Sequence, residues 1–394
     1  MKNLSLSGVL LLALVIPFIM TYRIGPGETP YWLFGIIFAL LLGYLVFSKL
    51  RSLLLWLIII LVIGSAYFSV IIVRRQTAPV YGAHDIILQL ESAIQFFLHG
   101  QNPYATTYFE TPLEQWHYSD TQVNPALYHF VMMPWYLLFS LPFYFLSISL
   151  FGFFDGRLPL VFLFGMLLVL AGRLLRRSPE QQRLFLVLLA FNPATLGYFL
   201  EGRSDIFAFT FLFAAWFLLE KKRYFLAGVP LALAFATKQS IWPIFPFYLL
   251  FLWLVTGRQL AMVIKSLLPF VVVFGLVVGP FFLWDSKAFL ASTVFYVTGA
   301  VANSYPVSGY GWGMVLHQLS YPFWLWQLIF GLPVGGILLY WLVRRPSVSR
   351  LIIVYGLFTF VFWYFSRYFN NSHLGYLSMV FLTGYFWPGN DKER

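Results

Sequence analysis

Residues 128–150, YHFVMMPWYLLFSLPFYFLSISL, are apolar enough to enter a bilayer, and whether they cross it decides the topology of all that follows. Pro134 and Pro142 interrupt the run. Proline removes a helical hydrogen bond and clashes with the preceding turn, so a broken or re-entrant segment is expected here. If the run crossed, every later loop would invert. The basic clusters at 173–177, 221–223 and 344–345 would then lie outside, against the positive-inside rule. The run is therefore read as embedded and not spanning.

The surrounding chain has 394 residues, 60% of them hydrophobic and 10% charged. Soluble domains carry roughly 25% charged residues. Many apolar stretches here are long enough to cross a hydrocarbon core. The fold class is an all-α, polytopic transmembrane protein forming one domain over 1–394. About twelve spans are expected, near 4–22, 31–48, 52–73, 158–173, 184–200, 205–219, 224–237, 241–256, 261–284, 321–342, 350–365 and 374–388. The first is kept as a span because it is long and no small-residue cleavage site follows it.

Several classes drop out. The net charge of +11 comes without a basic run built for nucleic acid, so no nucleic-acid partner is expected. Cysteine is absent, which excludes disulfides, thiolate metal sites and a cysteine nucleophile. Walker A, HExxH and GxSxG motifs are missing, as is a GxGxxG between strand and helix.

With the N-terminus placed in the cytoplasm, 17 of the 25 basic residues collect at inner ends. Of the 14 acidic residues, Glu180, Glu220, Asp391 and Glu393 fall inside. The others fall outside: Glu28, Asp85, Glu91, Glu110, Glu114, Asp120, Asp155, Glu201, Asp205 and Asp285. Chemistry is therefore sought on the outer face.

The outer loop 74–157 holds YGAHDIILQLESAIQFFLHGQNPY (81–104). Asp85 begins a helix of about fifteen residues that Gly100 and Pro103 end. At 100° per residue Asp85, Gln89, Ser92, Gln95 and His99 share one side and Ile86, Ile87, Leu90, Ala93, Ile94 and Phe97 the other. That pattern reads as an amphipathic helix on the membrane surface. Asp85 is either a helix cap or a carboxylate at a cavity mouth that takes a proton from a hydroxyl. Glu91, at the border of the two faces, reads as a solvated edge.

In the turn 200–205, Glu201, Arg203 and Asp205 crowd together, serving either helix capping or function. Lys238 is a lone cation between apolar spans. It either snorkels to headgroups or binds a lipid phosphate. The glycine-rich stretch 296–316, with Tyr305, lies in an outer loop (285–320) flexible enough to form a lid or a substrate-lining loop. FSRYFNNSHLGY (365–376) gathers Arg367, Asn370, Asn371 and His373 in a short turn, an ordinary polar loop or a hydrogen-bonding surface for sugar or phosphate.

Carboxylates beside cations suit a substrate with both phosphate and hydroxyls. Nucleotide-activated donors are cytosolic, so a donor used at this face needs its own membrane anchor. Polyprenyl-phosphate sugars meet that condition. Cations would stabilise the leaving phosphate while a carboxylate activates the acceptor hydroxyl.

The ordered stretches HDIILQLESAIQFFLHGQNPY, NPALYHFVMMPWYLL, FDGRLPLVFLFGMLLVLAGRLLRR, NPATLGYFLEGRSDIFAFTFLFAAWFLLEKKRYFLAGVPLALAFATKQS, SYPVSGYGWGMVL and SRYFNNSHLGY cover about residues 80–380. In order and spacing they resemble the GT-C superfamily of integral membrane glycosyltransferases, most of all the family 87 polyprenyl-phosphate-mannose-dependent group. The resemblance implies Asp85 as general base, Arg157 as the arginine opening the next span, Asp205 as the acid of the second outer turn, and Lys238 as a phosphate ligand. It also implies an embedded segment in the first outer loop. Relatives often carry tyrosines soon after the aspartate and a YPPL-like stretch where this chain has NPAL, differences that bear on sugar and acceptor.

The expected activity is inverting transfer of a hexose such as mannose from a polyprenyl-phosphate donor to a glycolipid, glycan or protein acceptor. It would take place at the extracytoplasmic face, in the plasma membrane. Donor contacts are expected from Arg157, Glu201, Arg203, Asp205, Lys238, Tyr305, Arg367, Asn370 and His373. No cofactor is predicted. Asp85, Glu201 and Asp205 leave a divalent metal open. The alternative is a transporter or flippase of a lipid-linked sugar, which would place its charges near the bilayer midplane in repeated halves. A purely structural membrane protein leaves the outer acidic excess without a role.

Overall fold

The computed structural model describes residues 5–21, 30–117, 122–319 and 322–388. Of the charged residues assigned to a side above, Lys2, Arg23, Glu28, Asp120, Asp391, Lys392, Glu393 and Arg394 lie outside the described residues.

Helices dominate. In chain order they are α1 (Leu6–Thr21), α2 (Tyr31–Val46), α3 (Arg51–Thr77), α4 (Asp85–Leu98), α5 (Pro134–Phe151), α6 (Leu158–Leu174), α7 (Pro179–Ala190), α8 (Leu196–Glu201) and α9 (Asp205–Glu220). They continue with α10 (Tyr224–Phe235), α11 (Phe245–Val255), α12 (Leu260–Trp284), α13 (Ser286–Leu290), α14 (Tyr296–Thr298), α15 (Gly313–Gln318), α16 (Phe323–Arg344), α17 (Val348–Tyr364) and α18 (Asn371–Phe386). Among the described residues the strands are one two-residue parallel pair, β1 (Ser308–Gly309) with β2 (Tyr368–Phe369).

Among the described residues four helices are long and apolar enough to cross a membrane: Ser48–Thr77, Pro134–Phe151, Leu260–Trp284 and Phe323–Arg344. Three coincide with expected spans and the fourth is the segment read as not spanning. The expected count of twelve is thus not reproduced as twelve long helices. The stretch 184–200 is one reason. Pro193 lacks an amide hydrogen, and Asn192 Oδ1 accepts from the Ala194 amide at 3.0 Å, so the chain turns between α7 and α8. Likewise 241–256 begins as a 3₁₀ turn, Gln239–Ile244, before α11.

The core centres on α9, which packs against α6, α10, α17 and α18. Its Phe209, Phe213 and Trp216 are buried on several sides and meet Tyr376, Trp387 and Tyr355 edge-on. Aromatic edges on faces add about 0.5–1.5 kcal/mol per pair beyond burial.

Proline at the first position and Gly152 in the left-handed region bracket α5, while the internal Pro142 leaves it unbroken. Eighteen residues make a rod about 27 Å long. Its entry is tied to the end of α10, through Met133 N–H to Thr237 O (3.1 Å) and Trp135 N–H to Ala236 O (2.8 Å). Its exit is tied to the last turn of α3, through Arg75 Nη1 to Phe151 O (3.3 Å). Along its length Phe139 and Phe143 meet Phe162, while Trp135, Tyr136 and Phe139 meet Phe207 or Phe211. All three partners lie in the first two turns of α6 or α9. Both ends of α5 therefore sit at the same end of the bundle.

A buried ion network locks that end. Arg74 donates to Glu91 at 2.7 and 2.8 Å and to Asp155 at 2.8 Å. Arg157 grips Asp155 through Nε and Nη2, both at 2.8 Å, and its Nη1 reaches Leu200 O at 3.2 Å. Glu91 also accepts from Gly156 N at 2.9 Å. Glu91 is thus a member of a charge network joining α3, α4 and α6 rather than a solvated edge. Helix α4 departs from a surface helix for the same reason. Its polar residues Asp85, Gln89 and Ser92 are buried along with its apolar ones.

Candidate functional site

At this end of the bundle the helix ends enclose a cavity of about 610 Å³. Asp85, Arg203, Asp205, Lys238, Tyr305, Arg367, Asn370 and His373 all line it, although they come from five separate chain segments. Arg157 and Glu201 do not. Arg157 is fully buried in the network just described. The Glu201 side chain is half exposed and meets Arg203 at 3.4 Å, while its carbonyl accepts from the His84 amide at 2.8 Å.

Asp85 opens α4 and His84 stands at its N-cap position, with Nδ1 3.3 Å from the Ile86 nitrogen. The same Nδ1 lies 2.5 Å from Asp85 Oδ1, and the His84 ring leans on Trp116. Asp85 is only 4% exposed. Burial pushes its carboxyl up. The His84 ring, the Ile86 amide and the Arg203 charge outweigh that and hold it below the usual carboxylate range. Asp85 is therefore ionised at neutral pH and able to accept a proton. His84 was not among the residues singled out in the sequence, and its signal was adjacency to Asp85 alone.

The turn carrying Arg203 and Asp205 reaches α4 because of Gly202. Its φ is +94°, and a Cβ there would lie 2.3 Å from Ile87. Only glycine tolerates both conditions. Beyond it Asp205 enters the first turn of α9, where a carboxylate complements the positive end of the helix. Lys238 Nζ donates to Asp205 Oδ1 at 2.6 Å. The lone cation of the sequence thus has a partner, and both side chains stay accessible from the cavity. The Arg203 guanidinium lies over the Tyr198 ring at 4.4 Å.

The opposite wall comes from the two glycine-rich and polar loops. Arg367 Nη2 donates to Tyr305 O at 2.7 Å, and its guanidinium occupies the space where a Gly299 Cβ would be. Gly309, Gly311 and Gly313 press their backbones onto carbonyls of Phe369, Tyr364 and Ser366. Close approach of the backbones accounts for these glycines, and the same stretch lines the cavity through Tyr296, Gly299, Ala300 and Tyr305. Asn370 caps α18, accepting from Ser372 N at 3.1 Å, with His373 Nδ1 at 2.8 Å from its Oδ1. The polar turn is therefore a capping box facing the cavity.

Gln89 and Gln239 fasten the wall between them. Gln89 Nε2 donates to Ala126 O and His129 O, and Gln239 Nε2 to Val131 O and Thr293 O, all at 2.7–2.9 Å. Pro243, Phe323, Trp324, Phe362 and Trp363 supply an apolar side. Among the described residues no group of three His, Asp or Glu side chains is placed to hold a metal ion.

The cavity thus joins two carboxylates, Asp85 and Asp205, three cations and an aromatic wall, groups chemically able to pair with an anion and to accept a proton. Compared with family models, curated proteins and solved structures, the chain matches no family model, no curated protein and no solved structure.

Proposed function

We propose that the protein is a membrane glycosyltransferase moving a hexose from a polyprenyl-phosphate donor to an acceptor hydroxyl. One observation carries this reading: Asp85 shares a single cavity with Arg203, Lys238 and Arg367 and with an aromatic wall. The order of sequence motifs that resembles the GT-C superfamily supports it. In this reading the cavity end faces the extracytoplasmic side, and α5 lies embedded along that face without crossing.

The reaction is a single displacement. Asp85 takes the proton of the acceptor hydroxyl as its oxygen attacks the anomeric carbon. The bond from that carbon to the phosphate oxygen breaks, and polyprenyl phosphate leaves with the bonding electrons. Arg203, Lys238 and Arg367 balance the charge that grows on the phosphate. Asp205 orients Lys238. Attack opposite the leaving group inverts the anomeric centre.

The test is release of polyprenyl phosphate from a short-chain polyprenyl-phosphate mannose by the purified protein with hydroxyl acceptors. Asp85→Asn should slow release by about 100-fold or more with an unchanged melting temperature. Full turnover in that variant removes Asp85 as the base. Lys238→Ala should raise the KM for the donor and also lower kcat, because the same cation holds the phosphate before and during its departure. Movement of the intact lipid-linked sugar across proteoliposomes, without release, would favour the transporter instead.

A further inference from the structure

The opposite end of the bundle holds a second concavity, about 1050 Å³, between α1, α6, α7, α9 and α18. Arg173, Arg176, Arg177 and Lys221 stand around it, all exposed. Among the described residues none of these four pairs with a carboxylate. Among the described residues the acids close by are already engaged. Glu180 binds Arg183 at 2.7 Å and the Ser7 amide at 3.2 Å, closing α1 on α7. Glu220, the acid lining the concavity, accepts from Trp387 Nε1 at 2.8 Å.

Two further features shape the site. The twelve-residue α7 begins there, at Pro179 just after Ser178, with Glu180 in its first turn and no side chain capping its first amides, and its positive end adds to the four cations. Behind the cations the walls turn apolar, through Leu6, Leu10, Leu188 and Leu382. Cations kept only to fix topology need neither a concavity nor an apolar floor. A charged rim over an apolar wall matches a molecule with an anionic head and a hydrocarbon tail.

We propose that this concavity binds the phosphate head of an anionic phospholipid, with its acyl chain along the apolar wall. The proposal is independent of the reaction at the other cavity.

The test uses purified protein in neutral detergent and native mass spectrometry. Dioctanoyl phosphatidylglycerol should bind at least tenfold more tightly than dioctanoyl phosphatidylcholine, and inorganic phosphate at equal concentration should not compete. Arg176→Gln with Arg177→Gln should weaken phosphatidylglycerol by about fivefold per charge. Arg258→Gln, which removes a positive charge from outside the concavity, should leave it unchanged, and all variants should melt as the parent does. Equal affinity for the two lipids overturns the proposal. So does competition by inorganic phosphate, or an equal loss in Arg258→Gln.

Discussion

Two clusters of ionised residues lie side by side at one end of this bundle, and they are built on opposite principles. In the network of Arg74, Glu91, Asp155 and Arg157 the charges balance, and Arg74 and Arg157 are spent on carboxylates and backbone carbonyls. Around the cavity the pairs are separate ones, Asp85 with His84, Asp205 with Lys238 and Arg203 with Glu201, and Asp85, Arg203, Asp205, Lys238 and Arg367 all face open space. Removing charges from water is costly unless partners satisfy them fully. The first cluster meets that demand and holds helices together. The second leaves capacity over for a ligand.

The largest contrast should come from Asp155→Asn. It strips Arg74 and Arg157 of a shared carboxylate in a buried site, which costs about 3–5 kcal/mol. Thermal unfolding in detergent should show a large fall in melting temperature, and an unchanged one would dissolve the distinction between the clusters. Acid should act on the same group. Burial pushes the Asp155 carboxyl up, but Arg157 and Arg74 outweigh it and hold it well below the usual range. Its stabilisation is present at neutral pH and is lost as pH falls through that lowered value.

Next in size is the catalytic loss expected of Asp85→Asn, which should leave stability alone, the reverse of Asp155→Asn. A variant that both melts early and turns over slowly would place Asp85 with the structural cluster. Gly202→Ala probes the seam where the clusters meet. The strain at positive φ and the collision with Ile87 should cost about 1–3 kcal/mol. Activity should fall with it, because the turn bearing Arg203 and Asp205 is pushed off α4. Wild-type stability in this variant would show that the turn is not held as described.

How much of this was legible in the sequence follows from the same contrast. The scarcity of charge in a 60% apolar chain marked the Asp, Arg and Lys residues of the cavity, because a charged group in such a chain is conspicuous wherever it falls. Pairing was not legible. Arg74 meets Asp155 across 81 positions, and Lys238 meets Asp205 across 33. No periodicity reports such contacts. Arg157 was therefore assigned to the donor and Glu91 to water, and both belong to the network. The packing role of the glycines at 309–313 was not legible for a related reason. A sequence shows that a side chain is missing, and only the packed fold shows which carbonyl fills the space.

The finest test falls on His84, the cavity residue that adjacency alone betrayed. Its ring contributes most to lowering Asp85 against the opposing effect of burial. In His84→Gln that support goes, so the Asp85 carboxyl should rise. A base works only when ionised, so activity is lost as pH falls through its pKa, and a raised pKa moves that loss to higher pH. The acid limb of the kcat/KM profile should therefore shift to the alkaline side, while the rate at the plateau stays near that of the parent. A limb that stays in place would mean that the proton is accepted elsewhere in the cavity, with Asp85 serving only to position His84.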